Sequence, residues 1–260
     1  MYATERHELI ATRVRDQGRV AVRQLARELD VTAETIRRDL DLLEEGGLLR
    51  RVHGGAIAST RSSIVERSLD ERRLSGVDGK RRIAAAALAL LPSGFDGSLL
   101  IDAGTTTAAF AERLRDRARQ GRPTPVITNS VHIAAALVPA SEIDLHQLGG
   151  RVRGVTAAAV GAETVAAVER MRPDVAVIGT NGVSAGFGLS TPDEFEAAVK
   201  SAFVRVGRRV IVLADAAKLG EESLVRFAAL EDIDVLVTDR APEGSLAAEL
   251  EDADVEVVLA

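Results

Sequence analysis

The chain has 260 residues, of which 46% are hydrophobic and 28% charged, a composition typical of a globular protein that buries a core. It has no cysteine, which excludes disulfides and thiol chemistry, and no apolar run of membrane-spanning length, so we expect a cytoplasmic protein without a membrane partner. The formal net charge is −6, but residues 1–61, which we call the head, carry 11 arginines against 10 acidic side chains. This balance is compatible with DNA contact by the head alone.

The first 57 residues predict a small domain of three helices and a hairpin. Apolar spacing and capping residues place the helices at about 4–17, 22–29 and 33–45. The stretch 48–57 predicts two short strands around a Gly-Gly turn. This order of elements is that of a winged helix-turn-helix, in which the third helix enters the major groove of DNA.

The third helix turns Ile36, Leu40 and Leu43 inward and leaves polar side chains on its other faces. Guanidinium groups there suit guanine edges or phosphates, and hydroxyl groups suit phosphates or bases. The alternative interpretation is a solvated helix face followed by an ordinary hairpin. The candidate DNA-contacting residues are Thr32, Thr35, Arg37 and Arg38 on the helix, and Arg50, Arg51 and His53 on the wing.

A polar segment and then an alternation of strands and helices follow the head. We assign 58–77 to a linker that is partly helical at 66–74, and 78–260 to a second domain that begins with a helix over 78–91. Strand signals lie at 98–102, 125–128, 143–148, 174–179, 209–215, 233–239 and 254–259. Helical patterns lie at about 106–119, 130–138, 161–171, 192–206 and 243–251. The series predicts a Rossmann-like α/β domain with a mainly parallel sheet.

One strand end has the composition of a phosphate-binding loop. In 101-IDAGTTT-107 a glycine lets backbone N–H groups approach an anion, the threonines add hydroxyl groups, and a helix begins there. A plain turn with a threonine cap is the alternative, and the acid either binds a sugar hydroxyl or orients the loop. The candidate ligand-binding residues of this loop are Asp102, Gly104, Thr105, Thr106 and Thr107.

Other polar loops follow neighbouring strands, and parallel strands would bring them to the same rim of the sheet. They add Asn129, Ser130, Gly149, Gly150, Arg151, Asn181, Asp215 and Lys218 to the candidate effector site. Arg153 is an alternative to Arg151 as a second cation for a phosphate. Asp215 could equally be a helix cap, and Lys200 lies either on a solvated helix face or at the mouth of the site.

The stretch 31-VTAETIRRDLDLLEEGGLLRRVHGGAI-57 closely resembles the signature of the DeoR family of bacterial transcriptional regulators. The resemblance continues through 126-VITNS-130, 148-LGGRVR-153, 179-GTNGV-183, 186-GFGLST-191 and 212-VLADAAKLG-220. The second domain also resembles the superfamily of ribose-5-phosphate isomerase and glucosamine-phosphate deaminase. These resemblances imply a homo-oligomeric repressor, a dimer or tetramer, that binds double-stranded operator DNA and senses a phosphorylated sugar, with fructose phosphate as the specific suggestion.

The rival function is an isomerase or deaminase with an appended DNA-binding head, which would need a general base. In the related isomerases an acid-rich loop follows the fourth strand, whereas 179-GTNGVSAG-186 has no carboxylate here. Glu194 and Glu196 are the nearest acids, and the four histidines show no metal-ligand spacing. A second domain that only oligomerises is a third alternative. We expect a sensor without catalytic residues, metal or cofactor, whose switch lies in 58–77 and its packing on 78–91.

Overall fold

The computed structural model describes residues 3–17, 19–45, 48–52, 54–58, 63, 66, 68–117 and 123–260. The chain divides into two compact units, Met1–Ser62 and Ser63–Ala260. None of the helices that the structure describes is both long and apolar enough to cross a bilayer.

The first unit is a three-helix arrangement closed by a three-stranded antiparallel sheet, as a winged helix-turn-helix requires. Its elements are α1 (Ala3–Gln17), β1 (Arg19–Ala21), α2 (Val22–Glu28), α3 (Ala33–Glu45), β2 (Leu49–Val52) and β3 (Gly55–Ala58). The strand order is β1-β3-β2. Ile36, Leu40 and Leu43 are buried against α1 and α2, so the predicted inward stripe of the third helix is confirmed.

The strand β1 is an addition to the predicted head. It has only three residues and follows a helix closely, so it is too short for an alternation of apolar and polar positions to indicate a strand. Its pairing with β3 depends on Gly55, because a Cβ atom at that position would lie 2.0 Å from the carbonyl oxygen of Val20. The glycine turn of the wing therefore also allows the close approach of the two strands.

The second unit is built on a seven-stranded parallel sheet, which confirms the predicted α/β class. Its strands are β4 (Leu99–Ile101), β5 (Thr124–Thr128), β6 (Ile143–Gln147), β9 (Val175–Gly179), β12 (Val210–Leu213), β14 (Val235–Thr238) and β15 (Glu256–Leu259). They correspond to the seven predicted strand signals. The order β15-β14-β12-β9-β4-β5-β6 reverses between β4 and β9, where a doubly wound sheet opens a crevice for ligands.

Helices cover both faces of this sheet. They are α4 (Leu69–Leu74), α5 (Val77–Ala89), α6 (Thr105–Arg117), α7 (Val131–Leu137), α8 (Ala162–Val168), α9 (Glu194–Val206) and α10 (Gly244–Asp252). Leu99 and Ile101 face one apolar cluster with α5, α6 and α7, while Leu100 faces the other with α8, α9 and α10. Burial on both faces explains why the strands are continuous apolar runs.

Two small antiparallel sheets lie outside the predicted series. One pairs β7 (Arg151–Arg153) with β8 (Ala158–Val160), and the other joins β10 (Gly182–Ser184), β11 (Gly188–Thr191) and β13 (Val225–Ala228). The β7–β8 hairpin is tied to the loop after β5, because Ala159 N–H donates to the carbonyl of Asn129 at 2.7 Å. Short strands rich in glycine and polar residues carry too weak a pattern to be recognised in the sequence.

Candidate nucleic-acid interface and effector site

The start of α3 presents the predicted recognition residues. The Thr32 side chain caps the helix by accepting from Thr35 N–H at 3.1 Å, and the two hydroxyl oxygens lie 2.8 Å apart. Arg37 is half-exposed and donates to Glu34 at 2.9 Å, whereas Arg38 is exposed. Among the described residues the Arg38 side chain has no hydrogen bond or ion pair, so its guanidinium group is available to a partner.

The wing brings one predicted arginine back onto the recognition helix. Arg51 pairs with Asp41, and the backbone N–H of Arg51 donates to Glu44 at 2.7 Å. These contacts join β2 to α3, so Arg51 helps to fix the wing. Arg50 is exposed beside it, and His53 lies outside the described residues.

The head contains a buried ion cluster that no pattern in the sequence predicted. Asp39 accepts from Arg6 at 2.6 and 3.0 Å and lies 2.8 Å from His7 Nε2, which joins α3 to α1. Burial opposes the ionisation of Asp39, but the hydrogen bonds from Arg6 and His7 outweigh it and lower the pKa of the carboxyl. The cluster of Arg6, His7 and Asp39 ties α3 to α1 on the inner side of α3.

In the second unit, the acid after β4 is buried and carries an ion pair. Asp102 pairs with Lys200 of α9 and accepts from Gly179 N–H at 3.1 Å, while Lys200 also donates to the Gly179 carbonyl at 2.8 Å. The two side chains are 2% and 5% exposed, so the solvated alternative for Lys200 is wrong. Burial raises the pKa of Asp102, against the opposing effect of Lys200.

The threonine loop forms the first turn of α6. Gly104 and Thr105 are partly exposed at its start, where the first backbone N–H groups of a helix have no acceptor within it. Thr106 is nearly buried, and the fully buried Thr107 donates its hydroxyl to the Gly104 carbonyl at 3.1 Å. The exposed end of this turn is thus backbone and the Thr105 hydroxyl.

The loop after β5 holds its neighbours in place. The Asn129 side chain accepts from Ala103 N–H at 3.0 Å and donates to the Ala159 carbonyl at 3.2 Å. Ser130 caps α7 by accepting from Ile133 N–H at 3.3 Å. Both predicted residues are buried, and their bonds join the loop after β4 to the β7–β8 hairpin.

The predicted Gly-Gly-Arg loop also has a packing role. Gly150 has a φ of +139°, and a Cβ atom there would lie 2.1 Å from Thr164 Oγ1, so α8 packs directly on its backbone. Gly149 has open space around it. Arg151 is exposed, and its guanidinium carbon lies 4.5 Å from the ring centroid of Phe195, a cation–π arrangement.

The remaining predicted residues follow β9 and β12. Asn181 accepts from the hydroxyl of Thr191 at 3.1 Å. Asp215 accepts from Ala217 N–H at 3.1 Å, which is the capping arrangement left open by the sequence. Lys218 ends the same short 3-10 turn and is half-buried.

The second unit holds a further ion cluster around Arg153, which was not predicted. Arg153 bonds to Glu196 at 2.5 Å, Glu66 at 3.0 Å and Asp193 at 3.3 Å. Thr156 donates to Glu196 at 2.5 Å, so the nearest candidate base is already held by a cation and a hydroxyl. Glu194 is exposed at the start of α9. Among the described residues no three histidine, aspartate or glutamate side chains come together to hold a metal.

Two family models match the chain. Residues 6–62 match the DeoR-like helix-turn-helix domain, and residues 75–240 match the DeoR C terminal sensor domain.

Among solved structures, ribose 5-phosphate isomerase A from Methanocaldococcus jannaschii is similar at 21% identity and a TM-score of 0.41, over 56% of this chain. The match spans about half the isomerase, 55% of its chain.

Relatives extend over nearly the whole chain. The HTH-type transcriptional regulator GlpR of Haloferax volcanii is 36% identical, over 99% of this chain and 98% of its own. An uncharacterized HTH-type transcriptional regulator FruR of Bacillus subtilis is 36% identical over 92% of each chain. The glycerol-3-phosphate regulon repressor of Haemophilus influenzae is 33% identical, over 92% of this chain and 90% of its own. These matches show that the chain belongs to the DeoR family of transcriptional regulators.

Proposed function

We propose that the protein is a repressor of sugar-metabolism genes whose affinity for operator DNA is set by a phosphorylated sugar bound in the second unit. The observation that carries the proposal is the winged head with exposed arginines at the start of α3, joined to a sensor-type α/β unit. The relatives described above are named as regulators or repressors, and none of them as an enzyme.

On DNA, Arg37 and Arg38 contact guanine edges or phosphates at the major groove, and Arg50 on the wing contacts the phosphate backbone. Thr32, Thr35, Arg51 and His53 complete the proposed interface. Arg38 and Arg50 are the best placed of these residues, because both are exposed and neither side chain has a hydrogen bond or ion pair among the described residues. Arg51 makes its contact with DNA while it remains paired with Asp41.

The sugar phosphate lies at the rim where β4, β5, β9 and β12 end. The partly exposed N–H groups at Gly104 and Thr105 bind phosphoryl oxygens, as at other helix starts that follow a strand. Arg151, Asn181 and Lys218 lie on rim loops and supply further polar groups. The buried residues Asp102, Thr106, Thr107, Asn129 and Ser130, together with Gly149, Gly150 and the capping Asp215, shape these loops.

Fructose phosphate is the proposed effector, and a dimer or tetramer the proposed assembly. One relative is named for the glycerol-3-phosphate regulon and another is the uncharacterized regulator FruR. The effector is therefore proposed at the level of a phosphorylated small polyol or sugar, with fructose phosphate first. Two heads on one assembly would bind paired half-sites, since the spacing of half-sites follows protein symmetry.

A thermal-shift screen tests the sensor. A ligand that binds only the folded protein raises its melting temperature by mass action. We expect stabilisation by at least one fructose phosphate and none by fructose at the same concentration. If no phosphorylated sugar stabilises the protein at millimolar concentration, the second unit is not a sugar-phosphate sensor.

Variants of the head test the DNA interface independently. Arg38→Ala should weaken operator binding, and Arg50→Ala should weaken binding to all sequences and lower the salt slope by about one unit if it neutralises one phosphate. Glu8→Ala, which alters an exposed residue of α1, is the control. Operator binding that is unchanged in both arginine variants would remove this assignment of the interface.

A further inference from the structure

The segment that leaves the head is anchored in the second unit by one buried carboxylate. Glu66, four residues after the first unit ends, has a side chain that is 7% exposed and bonds to Arg153 at 3.0 Å. Arg153 stands on the β7–β8 hairpin, which is bonded to the loop that carries Asn129. Asn129 in turn holds Ala103, directly before the threonine loop. A series of contacts thus runs from Glu66 through Arg153, the β7–β8 hairpin and Asn129 to the loop of the proposed effector site.

Carboxylates are in excess around this anchor. Arg153 bonds to Glu66, Asp193 and Glu196, and among the residues that the structure describes the further cation paired with Glu66 is Arg72, whose Nη2 lies 4.0 Å from Glu66 Oε1. Two guanidinium groups therefore face three carboxylates in a largely buried cluster, and this arrangement leaves one of the carboxylates weakly held.

Glu66 is that weakly held carboxylate. Asp193 also caps α9 by accepting from Glu196 N–H, and Glu196 accepts from Thr156, whereas Glu66 Oε1 has no hydrogen-bond partner among the described residues. Burial and the nearby charge of Glu196 raise the pKa of Glu66 against the opposing effect of Arg153. The ionised form of Glu66 is thus the easiest of the three to displace.

The cations beside Glu66 have unused donors. Arg72 Nε and Nη2 are buried and have no hydrogen-bond partner among the described residues. A phosphoryl group offers more acceptor oxygens than a carboxylate and more negative charge, so it would satisfy donors that Glu66 leaves unpaired.

Other hydrogen bonds of the described residues near Glu66 also join this stretch to the rest of the second unit, and in one of them Leu224 N–H donates to the Ser63 carbonyl at 3.1 Å. Leu69 N–H donates to the Val155 carbonyl at 3.1 Å, and the buried Lys80 donates to the carbonyls of Arg72 and Ser75. The short helix α4 between these contacts is the stretch of chain that would respond if Glu66 were released.

We propose that Glu66 is an internal counter-ion, which holds Arg153 and Arg72 in the ligand-free protein and is replaced there by a phosphoryl group of the effector, a second one besides the phosphoryl group bound at Gly104 and Thr105. Its release loosens α4, and operator affinity falls. The inference rests on the proposed sugar-phosphate function and adds to it the residue that competes with the ligand.

Two variants of the full chain test this exchange. Glu66→Gln keeps the shape and removes the charge, and Glu112→Gln, at an exposed position of α6, is the matched control. Calorimetric titrations use fructose 1-phosphate, fructose 6-phosphate, fructose 1,6-bisphosphate, inorganic phosphate and fructose. We expect Glu66→Gln to bind a phosphorylated probe about tenfold more tightly than the wild type, since the competitor is gone, and to bind operator about tenfold more weakly without ligand. Glu112→Gln should match the wild type.

Hydrogen exchange on the wild type provides a test without any substitution. Amides of α4 should exchange faster when the phosphorylated probe saturates the protein. Unchanged exchange there, or a Glu66→Gln variant that binds probe and operator like the wild type, overturns the exchange of Glu66 for ligand. If the wild type still loses operator affinity with a sugar phosphate in that case, the proposed function stands and only this inference fails. A wild type that binds no phosphorylated probe overturns both.

Discussion

The buried pair between Asp102 and Lys200 gives a quantitative prediction about the second unit. Lys200→Met keeps the length of the side chain and removes the ammonium group, which leaves Asp102 with Gly179 N–H as its remaining donor. Removing one partner of a buried ion pair typically costs about 3–5 kcal/mol, because the other charge stays desolvated. Since both side chains are almost fully buried, we expect a loss of unfolding free energy within that range at neutral pH.

The pH dependence of this loss has a definite sign. Without Lys200, the main effect that opposes burial is lost and the pKa of Asp102 rises further, so the folded variant takes up a proton more readily than the unfolded chain. Stability is then retained at low pH and lost as the pH rises through the raised pKa. The destabilisation should therefore be smaller at pH 5 than at pH 8.

Urea unfolding followed by far-ultraviolet circular dichroism measures both effects, because the chain has no tryptophan to report by fluorescence. Asp102→Asn in the Lys200→Met background is the internal control, since it removes the unpaired charge and should recover part of the lost stability. A Lys200→Met variant within about 1 kcal/mol of the wild type, or a double variant whose losses simply add, would refute the reasoning.

Three further predictions concern the head, a loop and a helix cap. Because the pKa of Asp39 is lowered, its contribution to stability is present above the usual carboxyl range and is lost as the pH falls through the lowered value. Asp39→Asn should cost about 3 kcal/mol of unfolding free energy at pH 7. The variant should also lose less stability at acid pH, as measured by amide exchange in α1 and α3. A loss of stability with falling pH as steep in the variant as in the wild type would contradict this. Gly150→Ala should destabilise the second unit by about 1–3 kcal/mol and the neighbouring Gly149→Ala by less, as measured by urea unfolding, because only the first meets Thr164 and a positive φ. Equal effects would remove the packing explanation. Ser68→Ala should raise amide exchange in α4 by removing its capping box, at a cost of about 1 kcal/mol, and unchanged exchange would show that α4 does not depend on the cap.

The elements that the sequence predicts correctly are those with strong periodic patterns. The seven strands of the parallel sheet are apolar runs such as 174–179, and the stripe of Ile36, Leu40 and Leu43 has helical spacing. Short strands such as β1 and the β7–β8 hairpin have too few residues to show a period. Their positions depend on tertiary pairing, for example the contact of Gly55 with Val20.

The ion clusters could not be predicted from the sequence for a different reason. Asp102 and Lys200 are 98 residues apart, and Glu66 and Arg153 are 87 apart, so no local pattern relates them. One signal was available in the composition: lysine occurs only at positions 80, 200 and 218, and the first two are buried donors to carbonyls or a carboxylate. In a chain that otherwise uses arginine, these lysines indicated sites where a compact ammonium group fits.

The central claim is that a phosphorylated sugar and operator DNA are coupled through this chain. Titration of the wild type with labelled operator, in the presence and absence of the fructose phosphate that stabilises it most, measures that coupling directly. Allosteric coupling of ordinary size predicts that the sugar phosphate weakens operator binding by about 5- to 150-fold, while fructose has no effect. An operator affinity that stays the same at saturating concentrations of every phosphorylated sugar would contradict the account.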